Sequence, residues 1–125
     1  MSLVNSTYPF PGREFAMQPG DSITIDLTRE GIPHQAYQVV VYAKIATGHN
    51  AGVDEDGEMT VSTTIPNGLI ERKLYCHFYG QQAWSYNSES IPLPVGCERA
   101  VNASLQGPSG TSKVMASVQI VGYSM

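Results

Sequence analysis

Apolar and polar side chains alternate with a period of two along most of the chain. Near the C-terminal end Val114, Ala116, Val118 and Ile120 recur at every second position. That spacing puts the four side chains on one face of a strand. The segment from Ser112 to Met125 is therefore expected to lie inside a sheet rather than to trail as a tail. Earlier, Ser22–Thr28 alternates in the same way, with Ile23, Ile25 and Leu27 on one side and Ser22, Thr24, Asp26 and Thr28 on the other. Ala36–Ala46 is nearly continuously apolar and rich in β-branched residues, as a central strand is.

The pattern continues through the second half. Met59, Val61, Thr63 and Ile65 share one face of a strand over 58–65, and Pro66-Asn67-Gly68 is a turn. Leu69–Tyr79 follows, with Ile70, Leu74, Cys76 and Phe78 on one face and Glu71, Lys73, Tyr75 and His77 on the other. Ala83–Tyr86 reads as a short strand and Ile91-Pro-Leu-Pro-Val95 as a proline-punctuated edge or crossover. Val101, Ala103 and Leu105 share a face of the strand after Arg99, and this strand is expected to form a hairpin with the last one. Seven or eight strands at roughly ten-residue spacing, with no 3.6-residue period, predict an all-β fold: an antiparallel β-sandwich, jelly roll or Ig-like Greek key. The expected core is Ile23, Ile25, Leu27, Val39, Val41, Val61, Leu74, Phe78, Val101, Leu105, Val118 and Ile120.

Residues 1–20 differ from the rest. Tyr8-Pro-Phe-Pro-Gly12 sets two prolines around an aromatic ring, followed by Arg13-Glu-Phe15 and Gln18-Pro-Gly20. Proline fixes φ and removes a donor, so this stretch is an extended N-terminal arm preceding a sandwich domain over 21–125. Two readings of the arm are open: it packs Phe10 and Phe15 on its own sandwich, or it reaches a neighbouring subunit.

Composition narrows the function. Hydrophobic residues make up 42% of the 125, enough for a core, while only 14% are charged. Neutral hydrogen-bonding groups therefore solvate much of the surface, a texture shared by secreted and virion-surface β-proteins. A net charge of -4 and scattered Lys and Arg argue against nucleic acid. No segment has the length and apolarity of a membrane-spanning helix. Met1-Ser-Leu-Val-Asn5 lacks a basic and an apolar region, so no signal peptide is expected, and Cys76 and Cys97 are expected to stay unbonded to each other.

Little in the pattern carries chemistry. His34, His49 and His77 have no metal-ligand spacing. Asp54 and Asp56 before Gly57 hold only part of a calcium loop, which fits a solvated loop better than a divalent site. No nucleophile elbow is present and no carboxylate pair is singled out. The expectation is of a protein that is not an enzyme, with no catalytic residue, metal or cofactor. Trp84 and Tyr86, with Asn87, Tyr75 and Tyr79, form an aromatic and amide cluster of the kind that stacks on sugars; the alternative is that Trp84 is core.

The Pro/aromatic arm Tyr8–Gly12, the lightly charged strands, the segment Leu93–Leu105 and the ending Ser117-Val-Gln-Ile-Val-Gly-Tyr123 resemble the small jelly-roll or Ig-like decoration (cement) proteins of tailed bacteriophage capsids. The resemblance implies a structural virion protein, made in the host cytoplasm, that binds the outside of a capsid and stabilises contacts between its subunits. Its partners would be the major capsid or another virion protein and further copies of itself, with no nucleic acid and no membrane. Under that reading Tyr8, Phe10, Arg13 and Phe15 of the arm bind the partner. The alternative is a carbohydrate- or receptor-binding module, as in a tail-fibre tip or lectin, in which Trp84, Tyr86 and Asn87 bind a glycan.

Overall fold

A computed structural model describes residues 7–47, 55–78, 85–106 and 114–125. Among them the chain forms β1 (Thr7–Pro9), β2 (Glu14–Met17), β3 (Ser22–Asp26), α1 (Leu27–Glu30), β4 (Gln38–Thr47), β5 (Glu55–Ile65), β6 (Gly68–Phe78), β7 (Ser85–Pro94), β8 (Ala100–Gln106) and β9 (Val114–Ser124). All pairings are antiparallel.

The topology follows from one long hairpin bent about the Pro66-Asn67 turn. On either side of that turn β5 pairs with β6, β4 with β7, β3 with β8 and β2 with β9. Val61 faces Arg72, Val41 faces Ile91, Ile25 faces Val101 and Phe15 faces Val118. Rolling this ribbon up brings β4 against β9 and β5 against β8. The result is a five-stranded sheet, β1-β9-β4-β7 with β2 also on β9, and a four-stranded sheet, β3-β8-β5-β6. That is the strand order of a jelly roll, one of the two sandwich types expected.

The inner faces meet in a core of Ile25, Leu27, Val39, Val41, Ile45, Met59, Val61, Leu74, Ile91, Leu93, Val101, Leu105, Val118 and Ile120, all buried. Each such side chain withdrawn from water contributes roughly 1.5–3 kcal/mol before the cost of ordering it. Of the expected core, Ile23 is only partly buried, at the edge strand β3, and the side chain of Phe78 lies outside the described residues. The outer face of the four-stranded sheet is polar: Thr24 donates to Asn102 Oδ1 at 2.8 Å across the β3–β8 pair.

Three local expectations are corrected. Alternation carries through Leu27 and Thr28, yet these residues form a helical turn. The Asp26 carboxylate accepts from the N–H groups of Thr28 and Arg29, and Gly31, at φ 98°, closes the turn in the left-handed region. The short strand expected over 83–86 and the proline-punctuated edge or crossover expected over 91–95 belong to one strand, β7 (Ser85–Pro94), which is an edge. Pro92 and Pro94 fit there because β7 is a sheet edge: Val95 donates its N–H to Tyr37, so the alternate positions 92 and 94 turn their nitrogens outward. Finally, β8 and β9 do not form a hairpin. They lie in different sheets, because the ribbon rolls between them.

Two irregularities shape the end of the sandwich that bears the arm. Val121 is an extra residue between the Val41–Ile120 and Val40–Gly122 pairs, a bulge that turns the rest of β9 over. Tyr123 thereby pairs with Val39 and shares its inward face. Opposite the bulge the arm kinks between β1 and β2. Gly12 packs so tightly there that a Cβ on it would lie 2.2 Å from the Ile120 carbonyl oxygen.

Candidate functional site

Between residues 7 and 17 the arm pairs with β9 of the same chain, through β1 and β2. Phe10 and Phe15 lie partly buried against the core and Met17 is fully buried. Of the two readings of the arm, this is packing on its own sandwich. Together β1 and β2 form one interrupted edge strand, and no strand pairs with its outer side among the described residues.

The four arm residues singled out from the sequence fall into two adjoining clusters. Tyr8 pairs with Tyr123 and stacks on it, with ring centroids 5.5 Å apart. Phe10 meets the same ring edge-on at 6.2 Å. Arg13 donates through Nε to Glu30 Oε1 at 2.8 Å, and its guanidinium carbon lies 4.6 Å from the Phe15 ring centroid. The Arg13 side chain is nevertheless 68% exposed, against 15% for Glu30. Phe10, Arg13, Phe15, Glu30 and Ile120 line a shallow pocket of about 220 Å³.

The local reasons are legible. Pro9 and Pro11 hold the backbone extended and set the kink. The one-turn helix presents Glu30, the acidic group that Arg13 needs. A carboxylate and an aromatic face together hold the guanidinium as a fixed, planar donor array. Sequence reasoning missed Glu30, since nothing local ties a connector carboxylate to an arginine seventeen residues earlier. It also missed Tyr37 and Met125. Tyr37 donates its N–H to Ser124, beside Met125, and both side chains are exposed, as Tyr8 is.

The second cluster is looser. Asn87 Nδ2 donates to the Tyr75 carbonyl at 3.1 Å, tying edge strand β7 to edge strand β6 across the mouth of the sandwich. Tyr75 and Tyr86 are 57% and 74% exposed. Trp84 and Tyr79 lie outside the described residues; of the others the structure joins Tyr75 to Asn87, with Tyr86 next along β7.

The remaining candidates carry less. Asp54 and His49, and the side chains of Asp56 and His77, lie outside the described residues. His34 is exposed and offers its carbonyl to Arg99. Among the described residues no group of three or more His, Cys, Asp and Glu side chains could hold a metal ion, and no helix is long and apolar enough to cross a membrane. Cys76 is buried, with Sγ 3.3 Å from the Ile45 carbonyl, and Cys97 is exposed; they form no disulfide. On the outer face, Glu58 sits 3.0 Å from Lys73 and raises its ammonium above the ordinary value through a hydrogen bond and charge.

Compared with known proteins, the chain matches no family model and no curated protein.

Proposed function

We propose that this protein is a structural virion component that binds the outside of a phage capsid and stabilises contacts between its subunits. The observation that supports this most is the state of Arg13: its side chain is 68% exposed, yet Glu30 and Phe15 hold it in place. Binding hot spots favour arginine and aromatic rings. A side chain already ordered in the free protein loses less entropy on binding. The outer side of β1 and β2, unpaired among the described residues, adds backbone donors and acceptors suited to strand addition. Contacts repeated on a symmetric lattice then give tight attachment through multivalency, although one copy binds one site modestly.

The test is co-sedimentation of the purified protein with cognate capsids lacking it, alongside a glycan array. Capsid binding without glycan binding supports the reading; glycan binding without capsid binding overturns it. A second reading rests on Tyr86, 74% exposed on an edge strand beside Asn87. It makes the Trp84–Tyr86–Asn87 end a glycan platform, and it requires the array signal to fall when Trp84 or Tyr86 becomes Ala.

A further inference from the structure

The β6 edge lies on the opposite side of the sandwich from the arm, and its side chains form a self-complementary row. β6 pairs with β5 through a two-residue turn in which Ile65 faces Gly68. In such a hairpin the backbone groups of 68, 70, 72 and 74 point into the pair, and those of 69, 71, 73 and 75 point away. The Tyr75 carbonyl does point away, since it accepts from Asn87 of β7. Leu69, Glu71, Lys73 and Tyr75 also share the outer face, and all four are exposed.

We propose that two copies of this chain associate through antiparallel β6–β6 pairing, with the two-fold axis at Arg72. Pairing about a two-fold axis must keep outer-face residues opposite outer-face residues, so the axis passes through a residue rather than between two. Centred on Glu71 or on Lys73, the register sets like charges against each other. Centred on Arg72, it sets Glu71 opposite Lys73 of the second copy, twice, and Leu69 opposite Tyr75 of the second copy, twice. Opposite charges and apolar–aromatic pairs are the cross-strand neighbours that stabilise a sheet. The two Glu71–Lys73 pairs exchange four backbone hydrogen bonds, and the two four-stranded sheets become one continuous sheet. Arg72 meets itself on the axis, exposed and on the other face; this one like-charge pair keeps the association weak. The inference does not depend on the capsid reading, and the arm remains free on the far side.

Cysteine scanning in the full chain tests it, with Cys97→Ser as background so that only the buried Cys76 remains. Leu69→Cys, Glu71→Cys, Arg72→Cys, Lys73→Cys and Tyr75→Cys are each exposed to oxidised glutathione and run on a non-reducing gel. Opposed residues in a non-hydrogen-bonded pair have Cα atoms about 4.5 Å apart, within disulfide range, so Arg72→Cys should give a covalent dimer and the other four little. Stronger cross-linking at any other position, or none anywhere, overturns the proposal. Sedimentation equilibrium gives a second readout: Lys73→Glu should weaken dimerisation roughly fivefold, Arg72→Ala should strengthen it, and an unchanged constant in both contradicts the assignment.

Discussion

Tyr8 and Tyr123 stack with ring centroids 5.5 Å apart and 22° between their planes, joining the start of the arm to the last strand. The contact exists because the Val121 bulge turns Tyr123 inward just where β1 lies alongside. Stacked rings of this kind contribute about 0.5–1.5 kcal/mol beyond the area they bury. A double-mutant cycle with Tyr8→Ala and Tyr123→Ala should therefore give a coupling of about 1 kcal/mol in urea denaturation. Additive single effects would mean that the arm does not rest on β9 in solution.

Arg99 fastens the α1 connector to β8. Its guanidinium donates to Thr28 Oγ1 at 2.9 Å and to the carbonyls of Ile32, Pro33 and His34, while its backbone sits at φ 50°. Replacing Arg99 by Lys keeps the charge but loses the fork that reaches several acceptors. Both Arg99→Lys and Arg99→Ala should cost about 1–2 kcal/mol. Arg99→Gly should cost slightly less than Arg99→Ala, because glycine adopts positive φ freely. Thermal melts of the three variants give the order.

Glycines separate close approach from backbone freedom. A Cβ on Gly96 would lie 1.8 Å from the Thr64 carbonyl oxygen, whereas one on Gly20, at φ 93°, would meet nothing within 4 Å. Gly20→Ala should cost about 1 kcal/mol of conformational strain. Gly96→Ala forces backbone apart and should cost about 3 kcal/mol or prevent folding. Comparable denaturation midpoints for the two variants would contradict this packing.

The two thiols should react at different rates. Cys97 is exposed and Cys76 buried, so a thiol reagent should label Cys97 at once and Cys76 only on unfolding. Labelling of both at one rate in the native protein would contradict the buried position of Cys76.

Faces were legible in the sequence where alternation was clean. Val101, Ala103 and Leu105 lie inward as their spacing predicts, and so do Met59, Val61 and Thr63. Alternation says which way a side chain points but not which strand lies beside it; for that reason β8 and β9 read as a hairpin although the rolled ribbon puts them in separate sheets. The helical turn at Leu27 carried a signal in Asp26 and Gly31, but the apolar alternation running through Leu27 overrode it. In the candidate site the residue types of Tyr8, Phe10, Arg13 and Phe15 stood out, while their neighbours Glu30 and Tyr123 did not. Those contacts depend on a bulge and a kink that bring distant segments together.

The central claim is that the ordered arm surface attaches the protein to a capsid, and the heat resistance of cognate capsids measures it most directly. Capsids lacking the protein are heated alone, with the wild-type chain, and with a Tyr8→Ala/Arg13→Ala variant confirmed folded by far-UV dichroism. The account predicts that the wild-type chain co-sediments with the capsids and raises their disruption temperature, and that the variant does neither at the same concentration. Equal protection by both chains, or no binding by the wild type, would contradict it.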